Sequence, residues 1–365
     1  MKRREFIAGL GGAAAWPLRL SAQQAAMPLV GFLNGQSPDA FAPYVEGFRN
    51  GLKDAGFVAS QNVEIEYRWA RGRYETLPAL AAELVARRPA VLVAAGGDPA
   101  AVAAKAATAI IPIVFLVGGN PTESGFAASL NRPGGTLTGV TMLTTTLDEK
   151  RLGLLREVVP QSTTVGLLSN PNFPSVEERN RRTVDAAHAR GITVVILTAT
   201  TEAELDSVVS GIDRSRVGAL LVSSDPFFNN NRDMIVTLVA NRAIPAIYEW
   251  REFALAGGLM SYGARLPDMY RQVGVYAGRI LKGEKPADMP IQQPTKFEFV
   301  INLNTVKKLG LTFPRGCSPS PTRWSNETAR VHRDTRRRGG VAIGGAGAAA
   351  DAAGRGAAHQ FEGCK

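Results

Sequence analysis

The chain has 365 residues, 45% apolar and 20% charged, a balance that suits two globular domains and excludes an intrinsically disordered chain. Its net charge of +10 defines no nucleic-acid-binding face, because residues 1 to 22 carry +3 and residues 315 to 365 carry +5, leaving +2 for the body. Both cysteines, Cys317 and Cys364, lie in the C-terminal stretch, so the body holds neither a disulfide nor a thiolate metal site.

Residues 1 to 22 have the plan of an export signal: Lys2, Arg3 and Arg4, an apolar middle from Phe6 to Leu18, and a small-residue exit at Ser21-Ala22. The pair Arg3-Arg4 followed by Phe6 matches the twin-arginine variant. The apolar segment is too short and glycine-rich for a membrane span. The expected location is therefore the periplasm, with cleavage near Ala22.

From Pro28 the body alternates strand and helix. Pro28 to Leu33 reads as an apolar strand, Ala40 to Gly56 as a helix with Phe41, Tyr44, Val45, Phe48 and Leu52 on one side, and Asn62 to Tyr67 as a strand. Helix 77–87, strand 90–95, a helix from Pro99 to Ala107 capped by Asp98, strand 113–116, a short helix at 126–130 and strand 136–141 complete a first lobe. A helix at 147–159 leads into a second lobe with strands at 165–168, 193–197, 219–222, 246–248, 259–261 and 297–302. Its helices fall at 176–190, 202–212, 232–241, 251–256 and 267–281, and 223–229 reads as a loop. Ala90 to Asn120 and Ala219 to Trp250 share one order: apolar run, Asp-Pro turn, helix, then Ile-Pro opening a second apolar run. This spacing predicts an α/β protein of two Rossmann-like lobes, each a parallel sheet covered on both faces, with a ligand cleft between them.

In such sheets a ligand sits beyond the carboxyl ends of the strands, against helix N-termini. The loops there nominate Asn34, Gln36, Ser37, Gly97, Asp98, Gly119, Asn120, Thr141, Asn170, Ser223, Ser224, Asp225, Glu249, Trp250 and Tyr262 as ligand-binding residues. Mostly hydroxyls, amides and N–H groups, they suit a small polar or zwitterionic solute better than a polyanion. Ser223-Ser224 can meet a carboxylate, and Asp225 or Glu249 an ammonium; Asp225 before Pro226 equally suits a helix cap, and both readings stand. Phe227, Phe228, Tyr248 and Trp250 either stack on a flat ligand or fill the core. Gly96-Gly97 and Gly118-Gly119 match no phosphate-loop motif and read as tight turns.

Of the three histidines, His188 falls within a helix and His332 and His359 in the C-terminal stretch, so no histidine-based nucleophile or metal cluster assembles. Asp225 with Glu249 would serve as well for binding as for acid/base work. The expectation is a binding protein, not an enzyme, needing no cofactor and no metal.

After Pro314 apolar periodicity stops, and residues 315–365 read as a disordered or frameshifted tail. One back-translation of Gly316 to Asn326, shifted by two bases, gives Leu-Leu-Ala-Gln-Pro-Asp-Glu-Val-Glu and a stop; the genomic sequence there tests it.

Several stretches together, covering about residues 1 to 314, resemble the ABC-transporter substrate-binding proteins whose better-known members bind tryptophan and related amino acids, a branch of the type I periplasmic binding proteins. They include RREFIAGLGG, GFLNGQSPDAFAPYVEGF, SLNRPGGTLTGVT, SSDPFFNNNRD, AIPAIYEWREFALAGGLMSYG and the run from Tyr276 to Thr312. Related chains end in a Leu-Leu-Ala-Arg-Ala-Asp-Glu-Val-Ile motif, close to the shifted frame. The resemblance implies a monomer whose first lobe comprises 27–141 and part of 263–302, and whose second comprises 142–262 and part of 263–314. The segments crossing between them are expected near Thr141 to Leu147, Tyr262 to Leu266 and Ile301 to Asn304. It implies closure over one small solute, an amino acid or related compound, for an inner-membrane ABC permease, with no nucleic-acid partner. The rival functions are a ligand-sensing module without a transport role and a cleft enzyme; the lack of a helix-turn-helix before Pro28 weighs against the first.

Overall fold

The computed structural model describes residues 27–312 and a short strand at Ala358–Phe361. The expected export signal at residues 1 to 22, both cysteines and the rest of the C-terminal stretch lie outside the described residues. The first sheet is built from β1 (Leu29–Asn34), β2 (Glu64–Trp69), β3 (Val91–Ala95), β4 (Ile113–Val117) and β5 (Leu137–Thr141) in the order β2-β1-β3-β4-β5, all parallel. β3 and β4 are buried along their whole length because helices cover both faces, which is why they read as unbroken apolar runs. Those helices are α1 (Pro38–Asp54), α2 (Leu77–Ala86) and α3 (Asp98–Ala107).

The second sheet contains β6 (Thr164–Ser169), β7 (Thr193–Thr198), β8 (Ala219–Val222), β9 (Ala246–Tyr248), β10 (Met260–Ala264), β11 (Phe297–Asn302) and β12 (Ala358–Phe361), in the order β12-β11-β10-β9-β8-β6-β7. Its helices are α4 (Asp148–Val158), α5 (Val176–His188), α6 (Glu202–Ser210), α7 (Pro226–Asn230), α8 (Arg232–Asn241) and α9 (Arg251–Leu255). α10 (Leu266–Leu281) follows β10 but packs on α1 and on β3, β4 and β5, so it belongs to the first lobe. The two helices meet backbone to backbone: a Cβ on Gly51 would lie 1.9 Å from the Arg271 carbonyl oxygen, and one on Gly274 2.1 Å from that of Phe48. Only glycine allows this approach.

Several expectations change. The second sheet is not wholly parallel, since β11 runs antiparallel to β10 and to β12. The chain leaves the second lobe at the end of β10 and returns from the first lobe after α10, so β11 starts beside the end of β10, Phe297 opposite Ala264, and runs back against it. That third crossing lies between Gln292, paired beside Val140 in the first lobe, and Phe297, not near Ile301 to Asn304; residues 303–308 there form a further helix, α11. Residues 126–130 form bends and irregular chain rather than a helix, because the N–H groups of Phe126 and Ala127 go to the Pro121 carbonyl and that of Ala128 to Pro133. The expected loop 223–229 contains α7, capped by Asp225. A tail expected not to pack as a domain contributes one strand, β12.

One apolar cluster continues from Phe32, Phe48, Phe41 and Tyr270 in the first lobe to Phe227, Trp250 and Val222 in the second. The lobes are in contact, and the strand ends that carry the nominated loops face one another. No helix among the described residues is long and apolar enough to cross a membrane.

Candidate functional site

The matching Asp-Pro turns of the two lobes meet at the cleft. α7 projects from the end of β8 into the first lobe, where three small residues make room for it. The Cβ position of Gly97 (φ +117°) lies 2.7 Å from Pro226 Cγ, that of Gly72 (φ +78°) 3.2 Å from Phe227 Cα, and that of Gly35 3.7 Å from Pro226 Cβ. Two hydrogen bonds clasp the contact: Tyr74 OH donates to Asp225 Oδ2 at 2.5 Å, and Asn230 Nδ2 donates to Gln36 Oε1 at 3.0 Å.

Behind the clasp is a cavity of ≈ 20 Å³, room for about one water. The first lobe gives it Gln36, Gly96, Gly97 and Asp98, and the second gives Ser224, Asp225, Asn229 and Trp250, with apolar walls from Phe41, Tyr270, Phe173 and Met142. No lysine or arginine side chain lines it. Two buried carboxylates do. Asp98 does not cap its own helix; its Oδ1 accepts from Gly118 N at 2.6 Å and its Oδ2 from Gly119 N at 3.2 Å, fixing the loop after β4. Asp225 does cap its helix, with Oδ1 accepting from Phe227 N at 2.8 Å and Phe228 N at 3.2 Å, and Asn170 Nδ2 adds a contact at 3.3 Å. Burial pushes both carboxyls above their usual range, against the pull of these donors.

Beneath the second lobe's loops lies a charged cluster. Asp148 accepts from Arg151 Nη1 through Oδ1 and from Arg179 Nε through Oδ2, each at 2.8 Å, and all three side chains are buried. Glu249, 2% exposed, is near both guanidinium groups, yet neither of its oxygens has a hydrogen-bond partner. Burial pushes its carboxyl up to about 8, only partly countered by Arg151, Asn229 and Arg179.

Of the nominated residues, Gln36, Gly97, Asp98, Ser224, Asp225 and Trp250 line the cavity. The other nine do not. Asn34 accepts from Gln36 N at 2.9 Å and donates to Tyr270 OH at 3.2 Å, shaping the loop from behind. Thr141 Oγ1 donates to the Gly119 carbonyl at 2.7 Å, and the Gly119 N–H is taken by Asp98. Asn120 turns away to Thr122 and Glu123 because its side chain closes its own loop, and Ser37 precedes α1 without a cap bond. Asn170 acts through Asp225. Ser223 Oγ is buried without a partner, Glu249 lies under the wall, and Tyr262 stacks on Phe297 with centroids 5.9 Å apart. Phe228 and Tyr248 are core residues, fully buried, and Tyr248 stacks on Phe253.

Sequence reasoning missed Tyr74, Asn229, Asn230, Tyr270 and the pair Arg151 and Arg179. Only Arg151 left a local signal, an Asp148–Arg151 pair at helical i, i+3 spacing. Tyr74 and Tyr270 reach the site from elements whose sequences read as ordinary amphipathic surface and core.

Two open α/β lobes, three crossing segments and a cavity lined from both sides define a cleft protein of the periplasmic-binding-protein class. The family model for ABC transporter substrate binding proteins matches residues 30–323, and the chain belongs to that family. It is 24% identical over 266 residues to a tyrosine-binding protein of Clostridioides difficile, covering 73% of this chain and 76% of that one. Among solved structures, a conserved domain protein from Vibrio cholerae superposes with TM-score 0.74 at 24% identity, covering 80% of this chain and 97% of the other. An ABC domain in complex with L-Trp from Streptococcus pneumoniae gives 0.72 at 23% identity, covering 79% and 96%.

No group of His, Cys, Asp and Glu among the described residues is arranged to hold a metal ion.

Proposed function

We propose that this chain is the solute-receiving component of an ABC importer in the periplasm, closing its lobes over one small amine-bearing solute, an amino acid or close relative, and passing it to a membrane permease. The observation that carries this reading is the cavity itself, where two buried carboxylates from opposite lobes face aromatic walls and no basic side chain lines the space between them, Arg179 acting on both only from behind the wall. Such a lining favours an ammonium group over an anion. The tyrosine and tryptophan named for the relatives have this chemistry, an amine on a flat apolar body.

With ≈ 20 Å³ available, the clasped conformation has no room for an amino acid. The solute therefore displaces part of the clasp, its ammonium taking the Asp225 oxygen that Tyr74 OH occupies, while Phe41, Trp250 and Tyr270 accept the apolar body. Micromolar binding corresponds to about −8 kcal/mol. Charged hydrogen bonds at roughly 1.5–3 kcal/mol each, with the buried apolar surface, supply it. The closed surface is then what a permease reads, and the solute acts by its preference for the closed state.

Thermal-shift screening of the recombinant protein against amino acids, aromatic acids and nucleosides tests the reading, with mass spectrometry of the recovered solute. Reversible stabilisation by an unchanged amine-bearing solute is the expected result. Conversion of the solute, or stabilisation by anions alone, ends it.

A further inference from the structure

We propose that Arg151 is a positioning residue for the hinge, setting the angle between the lobes by tying the first crossing segment to the end of β10, from which the second departs, and to the cavity loop. The proposal rests on the reading that the lobes move. Arg151 is 0% exposed and stands in α4, just after the first crossing. Its Nη1 donates to the Thr144 carbonyl at 2.9 Å, within that crossing, and its Nε donates to the Tyr262 carbonyl at 2.8 Å, at the approach to the second. The same Nη1 meets Asp148 Oδ1, whose other oxygen holds Arg179 Nε. Arg179 Nη1 donates to the Ser224 carbonyl at 2.7 Å, and Ser224 Oγ donates to Thr144 Oγ1 at 3.1 Å. The contacts close a ring through Arg151, Thr144, Ser224, Arg179 and Asp148, and Ser224 is a wall of the cavity.

Packing alone does not account for such a ring. Burying charges is costly, and apolar residues of similar size hold a fold at least as well, whereas a planar guanidinium in fixed geometry specifies directions. Arg151 aims two separate nitrogens at two carbonyls, one on the first crossing segment and one in β10 just before the second, a task one ammonium cannot copy. The ring also has unused capacity: the Nη2 atoms of Arg151 and Arg179 and both oxygens of Glu249 are buried without partners. Of these, Glu249 interacts with Asn229 and directly precedes Trp250 in the chain, both on the cavity wall. A change at the wall thus has a route to the hinge through side chains whose bonds are not all made.

The test reads the lobe-to-lobe distance directly. Spin labels on Lys53→Cys in the first lobe and Asp206→Cys in the second, both exposed positions, are placed in the full chain with Cys317→Ser and Cys364→Ser, and distances are recorded by double electron–electron resonance without any solute. Arg151→Lys keeps the charge and is expected to keep the fold, yet to raise the population of a second, longer distance about tenfold, the loss of one charge-assisted hydrogen bond. Arg151→Met should do so at least as strongly, and Ser224→Ala, which opens the ring at its weakest link, less. If Arg151→Met does not fold, Arg151→Lys and Ser224→Ala decide the matter. A lowered melting temperature with an unchanged distance distribution in Arg151→Lys overturns the proposal and leaves Arg151 a packing residue. Since no solute is present, failure to find a solute does not touch this result.

Discussion

The two Asp-Pro turns occupy equivalent places in the two lobes, and their carboxylates do different work. Asp98, after β3, spends both oxygens on Gly118 and Gly119 within its own lobe and leaves its own helix uncapped. Asp225, after β8, caps α7 and reaches across to Tyr74. The first is a loop anchor and the second a contact between lobes. What separates them is the neighbour each turn meets: paired glycine N–H groups beside Asp98, and a tyrosine from the opposite lobe beside Asp225. A third carboxylate sharpens the contrast, for Glu249 is as buried as either and has no hydrogen-bond partner.

The largest change is expected at that third group. The Glu249 carboxyl is pushed from its ordinary 4.5 up to about 8, so the folded chain keeps a proton that the unfolded chain has released. The contribution is fully present below pH 4.5 and is lost as pH climbs to about 8. Glu249→Gln, which stays uncharged, should flatten that decline, leaving the variant more stable than the natural chain near pH 8 by on the order of several kcal/mol. Urea unfolding at pH 5, 6.5 and 8 measures it; parallel curves for the two proteins would show that Arg151 and Arg179 keep the carboxylate charged in the fold.

Next comes Asp98→Ala, which strands two buried N–H groups and should cost about 3 kcal/mol of unfolding free energy. Asp225→Ala loses a cap, about 1 kcal/mol, together with the Tyr74 clasp. Asp225→Asn separates its roles, because asparagine caps as well but carries no charge: stability should hold within about 0.5 kcal/mol while affinity for an amine-bearing solute falls roughly 10- to 100-fold. Equal stability losses for Asp98→Ala and Asp225→Ala, with no affinity loss in Asp225→Asn, would erase the distinction between the turns. Gly97→Ala should cost about 1 kcal/mol, since φ is +117° there. Its new methyl would also meet Pro226, so small-angle scattering should show a larger radius of gyration.

Much of the fold was legible because its signals are local. Apolar runs of five residues in β3 and β4, the one-sided spacing in α1 and the recurring Asp-Pro turns identify two α/β lobes without any distance information. The antiparallel β11 was not legible, because strand direction follows from which lobe the chain is leaving, and α10 had to be placed on the first lobe before that was known. Six nominated residues line the cavity because the rule that loops follow strand ends is geometric. It cannot say which way a side chain turns, so Asn120 and Tyr262 were included although one closes its own loop and the other stacks on Phe297. The Asp225 ambiguity has a physical answer of its own: Oδ1 is the cap, and Oδ2 is the oxygen that faces the other lobe.

Isothermal titration tests most directly the proposed meeting of an amine with Asp225 in a closing cleft. L-tryptophan and L-tyrosine, each beside its deaminated analogue, are titrated into the full chain and into Asp225→Asn. Saturable binding of an amino acid, none of its deaminated analogue, and loss of that selectivity in the variant are the expected results. Equal binding of amine and deaminated analogue, indifferent to Asp225→Asn, would contradict it.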